Sequence, residues 1–249
     1  MPAVLCPCIH AKRLFQPLFL RKKWFFAFAA LFELTRGGFS LNRENRELHL
    51  ISNGKLPLAE FADVAAHVWP WVTAIHLRER MKTARELLDG IDLLRQAGVP
   101  PERLYVNDRA DVAAAAGIRG VHLAYHSLEP GQVKAILPRI RIGKSVHSIA
   151  EARHAEANGA DYVMFGHVFV TKSKAGLAGR GLAELAEVVR AVSIPVIAIG
   201  GITPENAESV LESGAKGIAV MSGILGAANP ARAAEDYCRT IKEGGVHDQ

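Results

Sequence analysis

The chain has 249 residues, of which 49% are hydrophobic and 22% charged, a length and composition that suit one large globular domain. Its formal net charge of +5 is uneven: residues 1–46 hold eight Lys or Arg and two Asp or Glu, so residues 47–249 carry a net charge of −1. The larger part therefore lacks the basic surface that nucleic-acid binding requires. Three cysteines exclude a disulfide framework and predict a reducing, cytoplasmic location.

Residues 1–46 differ in composition from the rest of the chain. They contain seven of the ten phenylalanines and a basic segment before a short apolar run at 21–32. This arrangement resembles a signal peptide, and the run is too short to span a bilayer. An export signal, a membrane-surface helix and non-native sequence from an upstream start codon all stay open, and the abrupt first strand at residue 47 favours the last. We predict a disordered or non-native extension at 1–46 and a folded domain at 47–249, with no membrane contact by that domain.

From residue 47 onward, short β-branched or apolar runs alternate with longer segments rich in Ala, Leu, Glu and Arg. The predicted strands are 47–52, 73–79, 103–108, 119–123, 140–147, 161–169, 194–200 and 216–221. Eight strands in alternation with helices predict a single closed (β/α)₈ barrel, the TIM barrel. An open doubly wound sheet is the alternative, and no G-x-G-x-x-G follows the first strand to mark a dinucleotide site.

The last two predicted strands end in turns typical of a phosphate site. Residues 194–202 read Ile-Pro-Val-Ile-Ala-Ile-Gly-Gly-Ile, and residues 217–224 read Gly-Ile-Ala-Val-Met-Ser-Gly-Ile. Glycine lets the backbone approach an anion closely, and the N–H groups at helix starts face it. The predicted phosphate-binding residues are Gly200, Gly201, Met221 and Ser222.

Other candidates lie at the carboxyl ends of the strands, where barrels of this kind place their active sites. His167 follows Gly166 at the end of the sixth strand, and histidine transfers protons near neutral pH. The predicted substrate-binding residues are Arg78, Asn107, Ser145, Thr171, Ser173 and Lys174. No group of residues has metal-ligand spacing, so the sequence predicts neither a metal nor a cofactor.

Two further histidines have structural explanations. His122 lies within the fourth strand, where core packing is the expected role. His147 precedes Ser148-Ile-Ala-Glu151, a capping-box pattern that predicts a helix start.

Over about residues 47–240 the chain resembles the thiamin phosphate synthase superfamily of barrels, and within it the TenI branch of thiazole tautomerases. The resemblance rests on motifs at 76–80, 142–148, 162–169, 176–181, 197–202 and 217–224. Two positions depart from the synthase pattern. After the fourth strand the synthases have an aspartate metal ligand where this chain has Ser127, although Asp108 is retained. After the sixth strand they have proline where this chain has His167.

With these departures, the resemblance implies a thiazole tautomerase, a cofactor-independent isomerase of thiamin biosynthesis. His167 would take the ring C2 proton of the non-aromatic 2-carboxy-4-methylthiazol-5(2H)-ylidene ethyl phosphate. It would then return a proton to the exocyclic carbon and leave the aromatic 2-carboxythiazole phosphate.

Two alternatives stay open. One is a thiamin phosphate synthase, a transferase that binds a pyrimidine pyrophosphate with Mg²⁺ and joins the pyrimidine to the thiazole. The other is a non-catalytic regulator that binds thiazole phosphate or thiamin phosphate. The expected partner is a small phosphorylated thiazole carboxylate and no nucleic acid, and the sequence leaves a homo-oligomer open.

Overall fold

A computed structural model describes residues 43–171 and 176–243. Its eight strands pair in parallel in chain order, and β1 also pairs with β8, so the sheet closes into a barrel. The strands are β1 Glu47–Ile51, β2 Ala74–Leu77, β3 Leu104–Asn107, β4 Gly120–Leu123, β5 Arg141–Val146, β6 Tyr162–Gly166, β7 Val196–Ile199 and β8 Gly217–Val220. The predicted (β/α)₈ barrel is confirmed.

A helix follows each strand, and a further helix closes the described chain. The helices are α1 Leu58–Val68, α2 Ala84–Gln96, α3 Ala110–Ala116, α4 Pro130–Ile136, α5 Ile149–Ala157, α6 Gly181–Ala191, α7 Pro204–Glu212, α8 Ser222–Leu225 and α9 Pro230–Glu243. Several begin at local signals in the sequence. Thr83 and Glu86 form a reciprocal capping box at α2, and the Ser148 hydroxyl accepts from the Glu151 amide at α5, as the pattern there predicts.

The main hydrophobic core lies between the barrel and its helices. Outward-facing strand residues such as Leu48, Leu50 and Ile75 are fully buried there against helix residues such as Phe61 and Leu185. Because successive strand residues point to opposite faces, the alternate residues fill the inside of the barrel.

A second, smaller cluster fills the barrel interior. Its buried residues include Tyr105, Tyr162, Met164 and Ile197. Glycines make room for the two tyrosines: a Cβ at Gly120 would overlap the Tyr105 ring, and a Cβ at Gly143 would overlap the Tyr162 ring. The tyrosines and glycines are therefore matched in volume across neighbouring strands.

The sixth strand falls furthest short of its predicted length. The sixth was expected at 161–169 because its apolar run continues, but β6 ends at Gly166. Residues beyond it bend across the barrel rim, where the amides of Val168 and Phe169 donate to the carbonyls of Ile199 and Gly200, at 2.9 Å each. No helix among the described residues is long and apolar enough to cross a membrane.

Candidate active site at the carboxyl ends of the strands

The predicted polar residues that the structure describes lie at one rim of the barrel. All eight strands are parallel, so their carboxyl ends meet at the same end of the barrel. That end receives Arg78, Asn107, Ser145, His167, Gly200, Gly201, Met221 and Ser222. Thr171 is the last described residue before the gap, whereas Ser173 and Lys174 lie outside the described residues.

The Gly200-Gly201 pair follows β7 with both φ angles positive, at 105° and 67°. A Cβ at Gly200 would lie 2.5 Å from the His167 Cβ, and a Cβ at Gly201 would lie 2.6 Å from the Val170 carbonyl oxygen. Both glycines are thus required by the close approach of the segment after β6, a reason additional to the anion binding that the sequence predicted.

Met221 connects β8 to the short helix α8, of which Ser222 is the first residue. Ser222 is exposed and Met221 is half-buried, so their backbone lies at the rim. Gly223 packs against Tyr237, because a Cβ at this position would overlap the Tyr237 hydroxyl. The same hydroxyl donates to the Ile202 carbonyl oxygen at 2.9 Å. Tyr237 in α9 thereby ties the turn after β7 to the turn after β8.

His167 lies just beyond β6 and is 6% exposed. Its Nε2 is 2.8 Å from the Ala178 carbonyl oxygen, which can only accept, so Nε2 carries a hydrogen. Its Nδ1 is buried and has no hydrogen-bond partner among the described residues. The Arg180 amide also donates to the His167 carbonyl oxygen, at 3.0 Å, so this residue fastens the described end of the 171–181 loop to the rim.

Arg78 is half-buried; its backbone N–H donates to the Ser52 Oγ at 2.8 Å, whereas its guanidinium has no hydrogen bond or ion pair with the described residues. Its neighbour Glu79 is engaged elsewhere and accepts from the Ser52 hydroxyl at 2.6 Å. Burial and the nearby Arg80 charge lower the pKa of Arg78. The guanidinium is consequently available to an anion.

Asp108 and Ser127 meet where the synthase pattern places two carboxylates. The Ser127 hydroxyl donates to Asp108 Oδ1 at 2.5 Å, and His126 Nε2 lies 3.6 Å from Asp108 Oδ2. Asp108 has a left-handed backbone, with φ at 69°, a conformation that aspartate tolerates better than most residues. Within the described residues, no group of three or more His, Cys, Asp or Glu side chains is arranged to hold a metal by itself.

A chain of buried polar side chains inside the barrel was not predicted. At its base, Arg141 donates to both carboxylate oxygens of Glu47, at 3.0 Å each, and His49 Nε2 lies 2.9 Å from Glu47 Oε2. His49 Nδ1 in turn lies 3.0 Å from His76 Nε2. Burial lowers the pKa of both histidines, so the rings are neutral and each carries one hydrogen.

A second interior chain reaches a predicted substrate residue. The Tyr162 hydroxyl lies 3.2 Å from His122 Nδ1, and His122 Nε2 lies 2.8 Å from the Ser145 Oγ. His122 is buried, as expected of a packed residue, but it also links the barrel interior to the rim. The signal that could have found both chains is the period of two along a strand. It places Glu47 and His49 on one face of β1, and Arg141 and Ser145 on one face of β5.

Comparison with known proteins gives the family of the chain. The model of the family described as TMP-TENI, thiamine monophosphate synthase, matches residues 48–224. The chain belongs to this family. The resemblance drawn from the motifs is thereby confirmed at the level of the superfamily.

Individual relatives within this family are named as synthases. A thiamine-phosphate synthase from Pyrococcus furiosus is 38% identical over 202 residues, which are 81% of this chain and 97% of that protein. One from Methanoculleus marisnigri is 44% identical over 155 residues, 61% of this chain and 74% of that protein. A solved structure of thiamine phosphate pyrophosphorylase from Pyrococcus furiosus matches with a TM-score of 0.70 at 35% identity, covering 81% of this chain and 98% of that one.

These relatives correct the predicted function. The thiazole tautomerase prediction is wrong, because the similar proteins are thiamine-phosphate synthases, the transferases that the sequence left as an alternative. Two physical points explain the error. Magnesium sites often use one or two carboxylates plus substrate phosphate oxygens, so the serine at position 127 does not by itself remove the site. A histidine after β6 can also serve to hold a loop, as the His167–Ala178 contact does.

Proposed function

We propose that this member of the thiamine monophosphate synthase family is a transferase that makes thiamin phosphate. It would join the pyrimidine of a pyrimidine pyrophosphate to a thiazole phosphate, with release of pyrophosphate. The observation that carries the proposal is the identity of 37–38% to Pyrococcus thiamine-phosphate synthases over 97% of their length. The barrel supplies a rim with a free cation and two glycine-containing turns, which suits two phosphorylated substrates.

The thiazole phosphate is proposed to bind at the turns after β7 and β8. Gly200 and Gly201 have backbone conformations that glycine favours, and Met221 and Ser222 lead directly into α8. Backbone N–H groups at such turns bind phosphate without a charged side chain. Binding there would hold the thiazole ring against the rim, so that its position relative to the second substrate is fixed.

The pyrimidine pyrophosphate is proposed to bind on the opposite part of the rim. Arg78 supplies a guanidinium that makes no hydrogen bond or ion pair with a described residue, and Asn107 lies at the end of β3 with its Oδ1 buried. Ser145 is half-buried at the end of β5. Thr171, Ser173 and Lys174 remain predicted contacts from the loop after β6. The pyrophosphate leaves with the bonding electrons, so cations on this side would favour its departure.

The family's Mg²⁺ fits the residues present if the substrate supplies most of the ligands. Asp108 is one carboxylate: among the described residues its Oδ2 has His126 Nε2 at 3.6 Å, and the Ser127 hydroxyl orients the other oxygen. Mg²⁺ bound at Asp108 would neutralise charge on the pyrophosphate. We expect activity to require Mg²⁺, and we expect Asp108→Asn to raise the concentration of Mg²⁺ that gives half-maximal rate.

His167 is proposed as a site residue that shapes the rim. Its contact with Ala178 would hold the loop, while the free Nδ1 offers a hydrogen-bond acceptor. Because the synthase pattern has proline here, His167→Pro should keep at least a third of the wild-type rate. His167→Ala lacks both the imidazole ring and the backbone restriction that proline would supply. It should therefore be less active than His167→Pro.

The deciding experiment mixes the full-length protein with thiazole phosphate, pyrimidine pyrophosphate and Mg²⁺. Thiamin phosphate is measured as its fluorescent oxidation product, and pyrophosphate is measured independently. Equal amounts of the two products support the proposal, and Arg78→Ala should lower the rate at least tenfold. Absence of both products under saturating substrates and metal would overturn it.

The division of the chain near residue 46 is also a proposal. Arg46 is buried and donates to the Ile241 carbonyl oxygen at 2.8 Å, which supports starting a shortened chain a few residues before β1. We expect residues 43–249 to retain the stability and activity of the full chain. A large loss of either would show that residues 1–42 contribute.

A further inference from the structure

Three side chains from neighbouring strands form a hydrogen-bonded line inside the barrel. It begins at Tyr162 in β6, passes through His122 in β4 and ends at Ser145 in β5. The Tyr162 hydroxyl is 3.2 Å from His122 Nδ1, and His122 Nε2 is 2.8 Å from Ser145 Oγ. Tyr162 is fully buried and His122 is 2% exposed, so bulk water does not compete for these contacts. We call these three residues the Ser145 relay.

The protonation states within the Ser145 relay follow from burial. The His122 ring is buried, and its two hydrogen-bond partners are hydroxyl groups rather than carboxylates, so nothing at these contacts stabilises a charged imidazolium and the ring is neutral. A neutral imidazole has one donor nitrogen and one acceptor nitrogen. Burial raises the pKa of Tyr162 well above its ordinary value, so the phenol keeps its hydrogen.

The direction of the bonds follows from the number of partners. Among the described residues, His122 is the one hydrogen-bond partner of the Tyr162 hydroxyl. If His122 Nδ1 donated to Tyr162, the phenolic hydrogen would be buried without an acceptor, which is the more costly arrangement. Tyr162 therefore donates to Nδ1, the ring hydrogen lies on Nε2, and Nε2 donates to Ser145 Oγ.

We propose that Tyr162 and His122 are positioning residues that make Ser145 a hydrogen-bond donor to the substrate. With its oxygen already accepting from His122, the Ser145 hydroxyl directs its own hydrogen toward the rim. Ser145 would then offer its hydrogen to a substrate acceptor, either an unprotonated ring nitrogen or a phosphate oxygen. The identity of the substrate in this inference rests on the proposed function. The direction of the hydrogen bonds within the Ser145 relay does not.

Two measurements test the proposal, and the first needs no substrate. In the full chain labelled with ¹⁵N-histidine, the ring nitrogen shifts of His122 report which nitrogen carries the hydrogen. We expect hydrogen on Nε2 in the wild type and, in Tyr162→Phe, a shift toward the Nδ1-protonated form. Tyr105→Phe is the matched control, because Tyr105 is a buried interior tyrosine whose hydroxyl contacts Arg141 instead, at 3.1 Å. Hydrogen on Nδ1 in the wild type would overturn the proposal.

The second measurement is a double-mutant cycle on KM and kcat for thiamin phosphate formation. Tyr162→Phe should raise KM about 2- to 10-fold, the effect of losing one oriented neutral hydrogen bond, and should have no further effect in a Ser145→Ala background. An equal loss in both backgrounds would mean that Tyr162 acts only through stability, and it would overturn the proposal. If the enzyme formed no thiamin phosphate at all, the proposed function would fail. The proposal about the Ser145 relay would still be tested by the ring nitrogen shifts, and by the same double-mutant cycle measured on the binding affinity for thiamin phosphate.

Discussion

Replacing Glu47 with Gln tests how strongly the ion pair at the base of the barrel interior stabilises the fold. The Glu47 side chain is 16% exposed, accepts two hydrogen bonds from Arg141 and lies in contact with His49. Burial by itself raises the pKa of this carboxyl, but the hydrogen bonds from His49 and Arg141 outweigh burial and lower it from 4.5 to about 2. The substitution keeps the shape of the side chain and removes its charge.

The size of the effect follows from proton linkage. A folded-state pKa below the unfolded value means that the unfolded chain binds the proton first as the pH falls. The stabilisation is therefore complete above pH 4.5 and is lost as the pH falls toward 2. At about 1.4 kcal/mol for each unit of pKa, the ionised carboxylate contributes about 3 kcal/mol, of which about 2 kcal/mol disappears between pH 4.5 and about pH 3.

The assay is urea unfolding followed by circular dichroism at several pH values, for the wild type and Glu47→Gln. The difference in free energy of unfolding should be about 3 kcal/mol at neutral pH and should shrink steadily below pH 4.5. Glu86→Gln is the control, because its pKa is likewise lowered to about 2 but its carboxylate lies at the surface, so a weak and salt-sensitive effect is expected. A Glu47→Gln difference that stayed constant from neutral pH to about pH 3 would refute the reasoning.

Three further outcomes are expected. Gly143→Ala should destabilise by about 1–3 kcal/mol because the new Cβ overlaps the Tyr162 ring, whereas Gly131→Ala in α4, with its Cβ 3.4 Å from the nearest neighbour, should be neutral or slightly stabilising by thermal melting. Thr83→Ala should lose about 1 kcal/mol of unfolding free energy in urea, and an unchanged midpoint would contradict its role in the capping box of α2. Because the folded-state pKa of His122 is about 3, below the unfolded value of 6.5, this residue should lower stability as the pH drops below 6.5, by about 2 kcal/mol at about pH 5. His122→Asn should remove that part of the slope in urea unfolding and leave the part due to His49 and His76, whose pKa values are also lowered.

The barrel was predictable because each strand carries a local signal. Runs such as 194–200 and 216–221 are apolar on both faces, as strands of a parallel sheet covered by helices must be. The ends of the strands could not be predicted in the same way, because apolar residues continue past Gly166 although the backbone there leaves the sheet. Hydrophobicity indicates burial, and Val168 is buried at the rim without belonging to a strand, whereas Val170 is exposed.

The polar interior was not predictable from local patterns. Glu47 and Arg141 are 94 residues apart in the chain, and His49 and His76 are 27 apart. These residues contact one another only because the barrel closes, and each by itself is a single polar residue in an apolar strand. Their pairing follows from the strand register, which the sequence does not give. Alternation alone would have placed them inside the barrel, yet it could not have identified the partner of each.

The functional error has a different origin, because both departures from the synthase pattern were observed correctly. Ser127 and His167 were interpreted as the loss of a metal site and the gain of a base. Each of these two residues, however, has a local structural role that requires neither the loss of a metal site nor the gain of a catalytic base. Ser127 orients the remaining carboxylate of Asp108, and His167 holds the Ala178 carbonyl oxygen beside two obligatory glycines. A side chain at a catalytic position shows which chemistry is available, whereas the reaction depends on the substrates that the whole rim binds. The relatives, which match along nearly their full length, therefore weigh more than two positions on that rim.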